Sequence, residues 1–295
     1  MESSMTWIRS LCTAFAMYSR LPVPCGNWKK EDMQYSIGLF PLVGVVVGAL
    51  EYIWICGAQR VSASIITSAA AQGQNIADTA GAGSASMSGM LPTALFIALV
   101  LIACIIPVHV TGGIHVDGFM DTSDALSSWG DRSKKLQILS DPHIGAFSVI
   151  SLMTLAAFWI AAVAVIAGSG DMRCRGIFGL EFVLARALSG LAAVRFQNAR
   201  GEGTLWAFTD LPGSARRTNT ILLAGIAILA AAGMLVIHPV QGLAASVMSV
   251  VIFGLYRRRA CREFGGITGD LEGWFLCRCE VAAACALAVV SLFTM

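Results

Sequence analysis

Long apolar runs broken by short polar stretches set the rhythm of this chain. A helix that crosses a bilayer needs roughly 20 mostly apolar residues. The stretches that meet this are about 37–56, 91–110, 147–168, 177–194, 221–237, 241–257 and 281–294, the last being short and Ala-rich. The first carries Glu51 and the fourth carries Glu181 and Arg186, so neither is a simple lipid-facing span. "HPV" at 238–240 joins the fifth and sixth as a tight Pro-containing hairpin. The opening "MESSMTWIRSLCTAFAMYSRLPVP" begins with Glu2 and splits its apolar run at Arg9, which argues against a cleavable signal. It reads as a short interfacial or re-entrant helix. Residues 57–90 are rich in Ser, Ala, Gly and Gln and read as a flexible non-cytoplasmic loop insertion. The expected fold is all-α, a polytopic membrane helical bundle of about seven transmembrane helices forming a single integral membrane domain over 1–295.

Composition agrees with the pattern. The chain is 56% hydrophobic and 13% charged, with mean hydropathy +0.72, whereas soluble domains carry about 25% charged residues. The net charge of +2 says little about partners; the lipid bilayer is one, and nucleic acid is not expected. Basic residues fall on alternate loops. Arg132, Lys134 and Lys135, then Arg195, Arg200, Arg216 and Arg217, then Arg258, Arg259, Arg262 and Arg278 share one side, against Arg60, Arg173 and Arg175 on the other. Positive charge concentrates on cytoplasmic loops, so the richer side is assigned to the cytoplasm of a cell inner membrane. Nine cysteines lie mostly in apolar segments, and Cys277 and Cys279 lack a second pair at zinc-site spacing, so they read as small buried hydrophobes.

The polar residues with chemical potential all lie on that cytoplasmic side. "TGGIHVDGFMDTSDA", 111–125, holds Asp117, Asp121 and Asp124 at i, i+4 and i+7. On a helix these share about a 60° arc. Three carboxylates this close repel one another unless a cation lies between them, and hard oxygen ligands suit Mg²⁺ completed by water and substrate phosphate. A solvated polar face favouring the helix dipole is the competing reading, which the bilayer edge disfavours. Gly112 and Gly113 would let backbone approach a large anionic ligand, and His115 could orient a carboxylate, contact phosphate or cap a turn. In "LSDPHIGAF", Asp141 is either an N-cap followed by Pro142 or a metal ligand. "RFQNARGEGTLWAF" offers Arg200 and Glu202 beside a Gly-x-Gly turn, and arginine matches phosphate bidentately. Arg186, inside a span, needs a functional partner. "GGITGDLEGW" places Gly265, Gly266, Thr268 and Gly269 where backbone N–H groups can wrap a phosphate, with Asp270 able to complete a metal shell.

"RLPVP" at 20–24, "LFPLVGVVVG" at 39–48, the aspartate segment, "DPHIGAF" and "GGITGD" stand in the order and spacing of the cobalamin synthase family, which this chain resembles from about residue 15 to 280. That family consists of adenosylcobinamide-GDP ribazoletransferases, multi-pass membrane enzymes. Against its usual GGxHxDGxxDTxDG, His115, Asp117, Gly118, Asp121, Thr122 and Asp124 match, while Ala125 replaces the final glycine. Pro142 and His143 replace a Ser-Arg pair, and Leu205 stands where a second glycine is usual. The resemblance implies that a hydroxyl of α-ribazole, or of its 5′-phosphate, attacks the cobinamide-linked phosphate of adenosylcobinamide-GDP, releasing GMP in the last steps of vitamin B12 biosynthesis. It implies catalytic roles for Asp117, Asp121, Asp124 and His115, with Mg²⁺ held by Asp117, Asp121, Asp124, Asp141 and Asp270. Asp124 is the candidate proton acceptor. Substrate contacts fall to Gly112, Gly113, Arg186, Arg200, Glu202, Gly265, Gly266, Thr268 and Gly269. A homo-oligomer is compatible with the sequence. Two rivals remain. A CDP-alcohol phosphatidyltransferase would show Ala-Arg where Met120 and Asp121 stand, and a cation-coupled transporter would place its acids near the midplane rather than on one side.

Overall fold

A computed structural model describes residues 2–24, 33–77, 85–200, 205 and 210–294. Helix α1 spans Glu2–Tyr18, α2 Ser36–Leu39, α3 Pro41–Ala77, α4 Ala85–Thr111, α5 Ile114–Ser127 and α6 Arg132–Ile138. These are followed by α7 (Ala146–Gly168), α8 (Met172–Arg195), α9 (Gly213–Ile237), α10 (Pro239–Arg259), a π-helical turn (Ala260–Phe264) and α11 (Gly269–Ser291). Among the described residues there is no strand, only one bridge between Asn198 and Ile267. Among the described residues, seven segments are long and apolar enough to cross a membrane: Ser36–Val61, Thr93–Thr111, Ala146–Gly168, Met172–Arg195, Gly213–Ile237, Pro239–Phe264 and Gly269–Ser291. The chain is an all-α multi-pass membrane protein.

Burial separates these spans into a centre and a periphery. In α8, 83% of the apolar window is buried within the protein and in α11, 67%, against 22% in α7 and α9. The outer helices keep apolar residues such as Ile105, Phe158, Leu229 and Val250 exposed, the distribution lipid requires. Close approach of α3 to α8 depends on Gly44 and Gly48, whose absent Cβ atoms would collide with the carbonyls of Phe182 and Gly179. Small residues four apart let backbones pack directly where lipid supplies no hydrophobic drive. The α9–α10 hairpin forms as expected, with the His238 side chain accepting from Gln241 N–H and Pro239 in the first turn.

Ionisable groups inside the bundle face its centre. Glu51, Glu181, Arg175 and Arg186 are all buried, so the first and fourth spans are not simple lipid-facing helices, although α3 keeps Val45 and Ile53 exposed. Arg186 Nη1 donates to Glu280 Oε1 at 2.6 Å and to the Phe182 carbonyl at 3.1 Å, and its guanidinium lies 5.9 and 5.8 Å from the rings of Phe40 and Phe182.

Three expectations need correction. The supposed loop over 57–90 is helical through Ala77 and again from Ala85. Its Ala and Gln are strong helix formers, and extending a helix already nucleated in a span costs little. The last span starts at Gly269 rather than 281, because Asp270, Glu272 and Glu280 look like loop residues until neighbouring helices bury or pair them. Asp141 does not cap a helix. It accepts from His143 N–H at 3.0 Å and meets His143 Nδ1 at 2.6 Å, while α7 begins after Gly145.

Candidate active site

The aspartate segment is helical, as its spacing requires. Gly112 and Gly113 both adopt left-handed backbone, φ 71° and 81°, and turn the chain from α4 into α5. Their conserved-looking spacing thus has a conformational cause, and the space a side chain would take at Gly112 is filled by Arg20. Gly118 then brings α5 onto α11: a Cβ there would lie 2.8 Å from the Asp270 carbonyl oxygen. Gly273 returns the contact, 2.8 Å from the His115 carbonyl oxygen. Two glycines on facing helices therefore draw Asp270 toward Asp117 and Asp121.

The result is a rim of four carboxylates. Burial, with the charges of Asp117, Asp270 and Asp124, raises the Asp121 carboxyl to about 6. Asp124 turns toward the start of α7, its carboxyl oxygens filling the place of a Cβ on Gly145, where the free N–H groups of a helix N-terminus favour an anion. Among the described residues no three His, Cys, Asp or Glu side chains converge closely enough to cage a metal. Asp141, engaged with His143 and exposed, is absent from the charges that act on Asp121.

Beneath the rim lies a cavity of about 380 Å³. Asp117, Gly269 and Asp270 stand in its wall together with Tyr18, Phe40 and Leu276. Glu272 contributes a buried carboxyl group whose Oε2 accepts from Ser189 Oγ at 2.6 Å and whose Oε1 accepts from Tyr256 at 2.9 Å. His115 borders the cavity too, ringed by Phe40 at 6.0 Å between centroids. Its buried Nε2 has no hydrogen-bond partner. Burial and Arg186 lower its pKa to about 3, so it is neutral at physiological pH and carries no positive charge toward a phosphate. On its other side His115 borders a second, apolar cavity of about 280 Å³ between α4, α7 and α11.

The glycine-rich turn before α11 is built mainly for folding. Gly265 is left-handed at φ 81°, and Gly266 packs against the Gln197 carbonyl. Ile267 N–H donates to Gln197 O at 2.8 Å and Ala199 N–H to Ile267 O at 2.9 Å. The Thr268 side chain accepts from Leu271 N–H at 3.3 Å, capping α11. Only Gly269, with open space beside it, reaches the cavity. Arg200 donates to the Leu136 carbonyl at 3.0 Å and exerts its charge on Asp270, so it stands near the rim. Arg186 is 1% exposed and committed to Glu280, a position that lends no support to phosphate contact. Glu202 lies outside the described residues. The residues that sequence reasoning did not select are Tyr18, Phe40, Ser189 and Glu272. Tyr18 and Phe40 lie beside or within the "RLPVP" and "LFPLVGVVVG" segments, which was the available signal.

The sequence pattern of the cobalamin-5-phosphate synthase family matches residues 10–82 and 76–288. A protein of Lachnoclostridium phytofermentans named adenosylcobinamide-GDP ribazoletransferase is 32% identical over 285 residues, 97% of this chain and 95% of that one. Proteins of the same name from Clostridium perfringens and Pseudomonas aeruginosa are 26% and 28% identical, each covering 96% of this chain and 98% of their own length. No solved structure matches. The match to the family pattern runs through the carboxylate rim, both facing glycines and the α11 cap, and the chain belongs to the cobalamin-5-phosphate synthase family.

Proposed function

We propose that this protein is an adenosylcobinamide-GDP ribazoletransferase of the cell inner membrane, with its carboxylate rim facing the cytoplasm. The observation that carries the reading is the cluster of Asp117, Asp121, Asp124 and Asp270, of which Asp117 and Asp270 line a mostly apolar cavity, in a chain whose relatives bear that name. The reaction is phosphoryl-type transfer. A ribose hydroxyl oxygen of α-ribazole, or of its 5′-phosphate, bonds to the cobinamide-linked phosphorus. The bond from that phosphorus to the bridging oxygen breaks, and GMP leaves with that oxygen.

The carboxylates suit Mg²⁺ by chemistry, being hard oxygen donors whose mutual repulsion already lifts Asp121. Their failure to form a closed cage fits it as well, since Mg²⁺ commonly binds through one or two carboxylates and completes its shell with water and substrate phosphate. One or two of Asp117, Asp121 and Asp270 would hold it, and when bound it would offset charge on the diphosphate. Asp124 is turned toward the start of α7, away from the metal set, and is the proposed acceptor of the hydroxyl proton. Arg200 supplies positive charge beside Asp270 for remaining phosphate oxygens.

The test uses membranes given adenosylcobinamide-GDP, α-ribazole and Mg²⁺. Release of GMP with formation of a complete cobamide is expected. Asp117→Asn and Asp121→Asn should each reduce turnover by about a hundred- to a thousandfold, on the scale of losing a principal electrostatic contributor, while leaving insertion intact. Near-normal turnover in the double variant would remove the carboxylates from the chemistry.

A further inference from the structure

The cavity under the rim differs from the rim itself. Its wall combines Met17, Tyr18, Ile37, Phe40 and Leu276, with the Glu272–Ser189 pair and His115 as its polar features away from Asp117 and Asp270. The Tyr18 and Phe40 rings lie 4.3 Å apart, tilted by 42°, and form one aromatic side. Small-molecule sites are mostly apolar with a few placed polar groups, and begin near about 300 Å³. A space of about 380 Å³ accepts a bicyclic base with its ribose. It is several times too small for a corrin macrocycle.

We infer that this cavity is the site of the acceptor nucleoside: the apolar aromatic base of the ribazole sits between Tyr18, Phe40 and Leu276, and its ribose lies toward Asp117 and Asp270. The inference rests on the proposed function and extends it by separating the two substrates in space. Guanine is the competing bicyclic base. It presents hydrogen-bonding groups along most of its edge, and the Met17, Ile37, Phe40 and Leu276 part of the wall offers them no partner. A guanine seated there would leave polar groups unpaired against hydrocarbon, which is costly. A dimethylbenzimidazole, with one ring acceptor and methyl groups on its far edge, has a much smaller requirement. Burial and the nearby Glu272 both raise the Tyr18 phenol, so it stays protonated beside the base.

The experiment measures KM for each substrate separately in two variants. Ala193→Phe fills the cavity from α8, and Leu276→Ala enlarges it from α11. With Ala193→Phe, KM for α-ribazole should rise at least tenfold while KM for adenosylcobinamide-GDP changes less than twofold. With Leu276→Ala, the kcat/KM ratio of a bulkier naphthimidazole nucleoside to α-ribazole should rise at least fivefold. A rise confined to adenosylcobinamide-GDP, an equal rise for both substrates, or an unchanged naphthimidazole ratio overturns the assignment. If Ala193→Phe does not insert, the Leu276→Ala ratio decides alone. Wild-type membranes that release no GMP at all would instead defeat the parent reading. Guanosine competing with α-ribazole, in otherwise active membranes, would assign the cavity to the leaving nucleotide.

Discussion

Asp121 stands at the point where folding and function pull in opposite directions. Its carboxyl is raised to about 6 by burial and by three neighbouring carboxylates, so the fold holds the proton more tightly than the unfolded chain does. The resulting penalty on the folded state is absent below the ordinary carboxylate range, grows as pH rises, and is complete above about 6. Asp121→Asn should therefore raise the thermal midpoint of detergent-solubilised protein at pH 7.5 without divalent ions, with the gain shrinking toward pH 4. Mg²⁺ should stabilise the wild type more than the variant. Equal midpoints at pH 7.5 would mean that the rim is not strained. The helical register of Asp117, Asp121 and Asp124 was legible because a 3.6-residue repeat makes it so. The fourth carboxylate was legible by type but not by place, since its distance from the others depends on two glycines in separate helices. The partner of Arg186 was not legible for a related reason: an arginine in a span demands one, and sequence does not distinguish a phosphate from Glu280.

Between elements, the decisive contact is α5 against α11. Gly118 and Gly273 each lie where a methyl group would strike the opposing backbone, and backbone cannot rotate away as a side chain can. Gly118→Ala should destabilise the protein by about 1–3 kcal/mol, the usual cost of overpacking. It should also lower kcat at temperatures where the protein is still folded, because it pushes Asp270 away from Asp117. Thermal unfolding and turnover measured on the same preparation separate the two effects; full activity in a stable Gly118→Ala variant would show that the helices need not approach so closely. This is also where sequence reading faltered. The start of α11 carries Asp270 and Glu272, and a hydropathy count treats them as loop. Glu272 is instead buried by hydrogen bonds from α8 and α10, through Ser189 and Tyr256, partners more than ten residues away. The helical stretch over 57–77 was missed in the opposite direction, by taking small and polar residues as evidence of a loop.

Across the molecule, the seven spans were readable because bilayer thickness sets a length that apolar runs must meet, and most expected boundaries lie within a few residues of those found. Glu181 and Arg186 marked the fourth span as other than lipid-facing, and α8 is the most enclosed helix, its Arg175, Glu181 and Arg186 facing other helices. What could not be read was that the last span would be central as well. The Arg186–Glu280 pair joins the two most buried spans. Arg186→Met should cost about 3–5 kcal/mol by leaving Glu280 without its counter-charge, whereas Arg186→Met with Glu280→Leu should recover most of that loss. Recovery is measured as the thermal midpoint of the double variant. A double variant that folds yet no longer binds adenosylcobinamide-GDP would return Arg186 to the phosphate.

The cavity wall begins at Met17 and Tyr18 and is closed by Gly269 through Leu276. Ribosomes deliver those two parts some 250 residues apart. Until the seventh span enters the bilayer, the nascent protein has an acidic helix but no chamber beside it. The chamber therefore closes only once that span is in place, and a partly made protein has nothing to enclose.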